Sequence, residues 1–302
     1  ESLMLYLAVL RAGYVYLPLN TAYQAAELEY FIGNAQPGVV VCTGKNFAWV
    51  SQIAFQAGTR HVFTLDDDRS GSLLARAAHC SDRQTPVQKR ADDLAAILYT
   101  SGTTGHPKAV LYSHRSTVLH AYAAALPDVM SLSARDSVLP VVPMFHVNAW
   151  GIPYAAAAVG SRLILPGPRL DGESLAHLIV DEKVTVAAGV PTIWLGLLNA
   201  LDTSGLKPVT LKRTVVGGSA LPPSMRAAFR DRYGVELIHA WGMSETSPLG
   251  TLNAPLAKHG ALPEAEQDRI GNGQGRPPYG VELRIVGADG LVLPSDGQTE
   301  GE

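Results

Sequence analysis

The sequence predicts an α/β fold of mainly parallel sheets with helices on their faces, followed by a β-rich C-terminal portion. Three observations carry that expectation. Short β-branched runs alternate with longer helical patterns. The runs read as strands buried in the core, as in sheets covered on both faces. Strand-helix alternation of this kind implies crossover connections, and crossovers make parallel sheets.

In chain order, residues 3–12 and 25–34 carry helical patterns, and 39–42 and 61–64 read as strands. Residues 66–93 are polar and charge-dotted, and read as a surface segment joining two sheet units. A strand at 95–99 is followed by a helix at 113–125. The most apolar stretch, 149–165, contains Pro153, Gly160 and Arg162. It falls short of the ~20 residues of a membrane span, so it reads as a buried helix, a turn and a strand at 162–165. Helices at 173–181 and 191–200 flank a strand at 184–188. The strand 213–216 leads to a helix at 222–232 opening on Pro222-Pro223, a pair suited to a first helical turn. Regularity fades after Trp241. Residues 252–275, rich in Gly, Pro, Ala and charge, read as a loop. Residues 279–286 alternate like a strand, and Gly287-Ala288-Asp289-Gly290 supplies a hairpin turn into 291–293.

With 47% hydrophobic and 17% charged residues the chain can bury a sizeable core, as one large domain or two fused subdomains. The net charge of −3, with Lys and Arg scattered, gives no reason to expect a nucleic-acid partner. Cys42 and Cys80 lack metal-ligand spacing, and free thiols in a reducing cytoplasm are the plainer reading, with a disulfide the alternative. The nine His are dispersed, so no zinc site is expected. Glu1-Ser2 leads straight into an amphipathic pattern without a secretory leader. That start, and an uncapped end at 299–302, suggest an excerpt from a longer protein.

The strongest chemical signal is Tyr99-Thr100-Ser101-Gly102-Thr103-Thr104-Gly105-His106-Pro107-Lys108, placed where an apolar strand ends. Glycines let backbone N–H groups close on an anion, hydroxyls add neutral donors, and Lys108 adds a point charge for a terminal phosphate. A Ser/Thr/Gly-rich surface turn is the plain alternative. The P-loop NTPase pattern is excluded by its spacing and by Ala109 after the lysine.

The segment from Thr100 to Lys108 resembles the phosphate-binding signature of the adenylate-forming superfamily, which holds acyl-CoA synthetases, luciferases and peptide-synthetase adenylation domains. Further motifs follow in the expected order. The fold expectation sharpens to the large N-terminal, AMP-binding domain of such enzymes, with stacked sheets, spanning residues 1–302 in partial form. The resemblance implies that Thr100, Ser101, Gly102, Thr103, Thr104, Gly105 and Lys108 hold the phosphates of ATP. Trp241-Gly242-Met243-Ser244-Glu245-Thr246 looks like the aromatic-Gly-x-Ser/Thr-Glu motif, with Trp in place of the usual Tyr. It implies Trp241, Gly242 and Ser244 at the nucleoside, and Glu245, with Thr100, at Mg2+. Gly217-Gly218-Ser219-Ala220 resembles the adenine-binding turn.

Pro143-Met144-Phe145-His146-Val147-Asn148-Ala149-Trp150 bears on the acid. By resemblance His146 positions the carboxylate and stabilises charge. The four-residue spacing to Trp150 fits one helix face, and in fatty-acid-activating relatives such a Trp gates the acyl tunnel. Trp150 as plain core is the rival reading. Peptide-synthetase domains place an Asp just after the Phe, whereas Phe145 is followed by His146, so an amino acid is disfavoured.

The segments 144–150 and 275–282 resemble medium- and long-chain fatty acyl-CoA synthetases, and 11–23 looks more like malonyl-CoA synthetases. The expected activity is therefore an AMP-forming acid–thiol ligase: a medium- or long-chain fatty acid reacts with ATP to give acyl-AMP, and coenzyme A takes the acyl group. His146, Lys108 and Glu245 would carry the catalysis, by positioning and charge stabilisation. Malonate or another short acid, or a non-catalytic nucleotide-binding module, are the alternatives. Expected partners are a small carboxylic acid, ATP and coenzyme A, with a homodimer kept as one option for assembly. The family's ribose-binding Asp, hinge and mobile C-terminal domain with its lysine are absent from the sequence, so the chain alone is expected to turn over poorly.

Overall fold

The computed structural model describes residues 2–100, 106–296 and 299–302. The chain divides into two compact units, Glu1–Lys89 and Arg90–Glu302. In the first, β1 (Val39–Cys42) and β2 (His61–Thr64) pair in parallel, Val39 opposite His61. Helices α1 (Ser2–Arg11), α2 (Ala25–Ala35) and α3 (Phe47–Gln56) accompany them, and Leu28, Ile32, Val50 and Ile53 close a small core. A short helix, α4 (Ser72–Ala77), lies inside the stretch expected to be plain surface.

The second unit opens with an antiparallel hairpin, β3 (Leu94–Thr100) against β4 (Lys108–Ser113). Its main sheet takes strands β5 (Ser137–Pro140), β6 (Arg162–Leu163), β7 (Val186–Gly189), β8 (Arg213–Val216), β9 (Glu236–Gly242) and β10 (Leu249–Leu252). Their order is β10-β9-β8-β7-β5-β6, parallel except where β10 runs against β9. The pleat sends consecutive residues to opposite faces, and both faces are covered. On one face Val138, Val186, Val215 and Ile238 meet α5 (His114–Ala125) and α7 (Ile152–Val159) through Ala121, Ala124, Ile152 and Ala155. On the other, Leu139, Ala187, Val216 and Leu237 meet α8 (Gly172–Asp181), α9 (Pro191–Ser204) and α10 (Pro223–Tyr233) through Leu175, Ile179, Trp194, Leu197 and Phe229. Each fully buried Val, Leu, Ile or Phe among these contributes about 1.5–3 kcal/mol of transfer free energy.

The α/β architecture is as the sequence predicts, and four local readings need correction. Between β5 and α7 the segment α6 (Val147–Trp150) is not a right-handed helix: Val147, Asn148, Ala149 and Trp150 have φ of 45°, 52°, 53° and 55°. His146 and Trp150 therefore do not share a right-handed helical face. Second, residues 279–286 do not form a strand; only Val286 makes a single antiparallel bridge, to Val292, across the expected turn. Tyr279 is 92% exposed, so the alternation there lacks a sheet to pack on. Third, the expected loop 252–275 contains α11 (Glu264–Gly271), which follows Pro263 and carries Glu264 and Glu266 in its first turn, where a helix dipole favours acidic residues. Fourth, β3 pairs antiparallel with β4, a strand unmarked in the sequence reading.

Candidate functional site

Parallel strands deliver their C-terminal ends to one edge of the main sheet, the edge where α/β proteins bind ligands. There β8 ends at Val216 and passes into Gly217-Gly218, while β9 ends in Trp241 and Gly242. The chain leaving β5 brings His146 and α6 to the same place. His146, Trp150, Gly217, Gly218, Trp241, Gly242 and Ser244 converge on one pocket of about 90 Å3. Met130, Val147, Val215, Ala240 and Leu249 give it an apolar wall.

The close packing is dictated by glycine. A Cβ on Gly242 would sit 1.9 Å from the carbonyl oxygen of Pro248, so no side chain fits there. A Cβ on Gly217 would lie 3.2 Å from the Trp150 ring and 3.3 Å from the Ala240 carbonyl oxygen. The Trp150 indole thus rests against the Gly217 backbone and is half-buried.

The 3-10 turn Ser244–Thr246 is braced locally. The Met243 amide donates to Thr246 Oγ1 at 3.0 Å, and the Thr246 hydroxyl also meets the Pro248 carbonyl. The turn is tied to the hairpin, where the hydroxyl of buried Tyr112 on β4 donates to the Ser244 carbonyl at 2.7 Å. Burial, then the neighbouring Tyr154 and Glu245, push the Tyr112 pKa up, so the phenol remains a neutral donor.

Thr100 and Lys108 face each other across the β3–β4 hairpin, Thr100 half-buried and Lys108 exposed. Ser101, Gly102, Thr103, Thr104 and Gly105 lie outside the described residues. Glu245 is exposed, and Ser219 and Ala220 are exposed just past Gly218; none of the three lines the pocket. A hard cation shared with phosphates needs one or two protein carboxylates and keeps several waters. The solvent-facing Glu245 carboxylate suits that role.

His146 reaches solvent at the pocket, yet burial of its surroundings lowers its pKa from the ordinary value. The ring is held toward its neutral form, which donates from one nitrogen and accepts at the other. Sequence reasoning missed two residues. His120, on α5, lines the same pocket at 8% exposure, and burial lowers its pKa to about 4. Asn148, at 1% exposure, has neither side-chain polar atom hydrogen-bonded among the described residues. His120 lies outside every motif, and Asn148, though inside the segment Pro143–Trp150, had no role read for it, so only the fold could reveal them.

The family profile described as "AMP-binding enzyme" matches residues 1–302. The 3-methylmercaptopropionyl-CoA ligase of Ruegeria pomeroyi is 48% identical over 312 residues, covering 100% of this chain and 58% of that protein. The medium-chain-fatty-acid–CoA ligase of Ectopseudomonas oleovorans is 46% identical, covering 100% and 57%. Among solved structures, ATP-bound MatB from Rhodopseudomonas palustris superposes with a TM-score of 0.83 at 30% identity, covering 97% of this chain and 55% of MatB. The chain thus spans a little over half the length of these relatives. Among the described residues no helix is long and apolar enough to cross a membrane.

Proposed function

The chain belongs to the AMP-binding enzyme family, and from that premise we propose that the full-length protein is an AMP-forming acid–CoA ligase for a short- to medium-chain monocarboxylic acid. The observation that carries the reading is the shared pocket, in which His146 and Trp150 stand beside Gly217, Gly218 and Trp241. That shared lining supports a reading in which one pocket edge serves the acid and the other the nucleotide.

In this reading the acid carboxylate attacks the α-phosphate of ATP, giving acyl-AMP and pyrophosphate, and the thiol of coenzyme A then displaces AMP. Neutral His146 donates a hydrogen bond to the carboxylate and holds it in line, which is catalysis by positioning. Lys108 and the loop 101–105 hold the phosphates, Gly217 to Ala220 offer backbone groups to the base, and Trp241 and Gly242 flank the nucleoside with Ser244. Glu245, with Thr100 beside the loop, would hold Mg2+, which neutralises charge as pyrophosphate leaves. The AMP-binding part is assigned to residues 1–302.

The acid class rests on the pocket. Its apolar wall, through Met130, Val147, Val215, Ala240 and Leu249, suits an alkyl chain. Among the described residues no Lys or Arg lines it, which disfavours a dicarboxylate such as malonate. The two relatives named for 3-methylmercaptopropionyl and medium-chain acids point the same way.

The test is an incubation of full-length protein with ATP, Mg2+, coenzyme A and a panel of acids, with acyl-CoA read by mass spectrometry. Thioesters of C4–C10 monocarboxylates are expected. Malonyl-CoA alone would overturn the acid class, and tight ATP binding without acid-dependent pyrophosphate release would replace the enzyme with a nucleotide-binding module.

A further inference from the structure

His120 is a buried titratable group that the reaction above does not use. It sits on α5 with 8% of its surface exposed, and it lines the pocket that takes His146 and Trp150. Its Nδ1 is sealed from solvent and has no hydrogen-bond partner among the described residues. That edge of the ring packs on Gly151, where a Cβ would lie 2.5 Å from Nδ1. Gly151 has φ of 69°, so the residue at this place both turns the chain left-handed and makes room for the imidazole.

Burial holds the ring neutral, with a pKa of about 4, so it carries one proton to place. A proton on Nδ1 would be a buried N–H donor on the Gly151 side with no acceptor, and an unmade buried donor is costly. A proton on Nε2 leaves Nδ1 as a bare acceptor on the Gly151 side and turns the donor to the opposite edge of the ring. Around it the wall is apolar, through Met130, Val147 and Val215. A leucine would fill such a wall without the cost of stripping water from an imidazole.

We propose that His120 determines substrate choice, its Nε2–H donating to an oxygen or sulfur acceptor in the chain of the acid, so that acids carrying such an atom are favoured over plain alkyl chains. This rests on the acid-activation reading and narrows it. The acceptor lies in the chain and not in the carboxylate, which His146 serves.

The experiment compares 3-methoxypropanoate and 3-methylthiopropanoate with pentanoate, in which a methylene replaces the heteroatom. The kcat/KM for each is measured on full-length wild type, His120→Phe and His120→Gln. The methoxypropanoate-to-pentanoate ratio is expected to fall about five- to tenfold in His120→Phe, the range of one hydrogen bond lost. It should recover in His120→Gln, whose amide keeps a donor. The thioether ratio should fall less, because sulfur is a weak acceptor. Should the Phe ring not fold, as read by thermal melting, His120→Leu replaces it. An unchanged ratio in the donor-less variant overturns the proposal. If the wild type forms no thioester, the activation reading fails, and calorimetric affinities of the same acids then decide: equal loss for ether and alkane overturns the role of His120.

Discussion

The hydroxyl of Tyr112 donates to the carbonyl oxygen of Ser244 across 2.7 Å, joining the hairpin that carries Thr100 and Lys108 to the turn that carries Glu245. The two residues are 132 positions apart in sequence. This partly buried hydrogen bond thus registers the two segments assigned to phosphate and to metal.

Tyr112→Phe removes that bond while keeping the ring packing. Stability is expected to fall by about 0.5–1.5 kcal/mol, the net worth of one hydrogen bond. The larger effect should be functional: with the turn released, the Mg2+ concentration for half-maximal pyrophosphate release should rise several-fold. A magnesium titration of wild type and variant checks this, and an unchanged midpoint would separate Tyr112 from the placement of Glu245.

Gly242 has no room for a side chain, since its Cβ would fall 1.9 Å from the Pro248 carbonyl oxygen. Gly242→Ala must therefore move backbone, at a cost of about 1–3 kcal/mol typical of overpacking. Because the displaced strand end carries Trp241, ATP affinity should weaken along with stability. Urea unfolding and a nucleotide-binding isotherm measure the two effects. Wild-type values in both would show that the turn yields without consequence.

These residues also show what the sequence could and could not tell. Val39-Val40-Val41 and Thr214-Val215-Val216 mark strands because β-branching is a local property, and β1 and β8 have the expected bounds. Gly217, Gly218 and Trp241 were readable for the same reason, as each belongs to a short motif, and the structure brings them into one pocket. α3 was missed although Asn46, a residue type favoured at N-caps, stands at its start, so a written cap alone did not mark it. The left-handed turn Val147–Trp150 is beyond local reading altogether. Four non-glycine residues in that conformation cost roughly 1–2 kcal/mol each, and only tertiary packing can impose it. His120 was hidden likewise, because its environment depends on Gly151 and on β8 and β9, far along the chain.

The neutral burial of His120 sets a pH dependence of stability. Its folded pKa, about 4, lies below the ordinary 6.5, so the unfolded chain binds a proton that the folded chain refuses. Unfolding is therefore favoured as pH falls. The stability contribution is fully present above about pH 6.5, declines from there to pH 4, and is constant below. Between pH 7 and pH 5 this amounts to about 2 kcal/mol. The lowered pKa of His146 adds in the same direction. In His120→Gln the difference in unfolding free energy between pH 7 and pH 5 should shrink by about 2 kcal/mol, and an undiminished slope would place the proton uptake elsewhere.

Trp150 closes the pocket against the Gly217 backbone, 3.2 Å from where a Cβ would stand. Trp150→Ala removes that wall and lengthens the space available to an acyl chain. A methylene in an apolar pocket changes kcat/KM by roughly 10- to 200-fold when it must be accommodated or rejected. The octanoate-to-butanoate ratio of kcat/KM should therefore rise by at least about tenfold in the variant. The half-buried indole also supports α7 and the sheet, so the melting temperature should fall, and both quantities are measured on the same preparation. A fall in stability with an unchanged chain-length ratio would return Trp150 to the plain core role that its motif alone leaves open. A raised ratio would instead make the contact between indole and Gly217 the far wall of the acyl site, and a bulkier residue at 217 should then shorten the accepted chain.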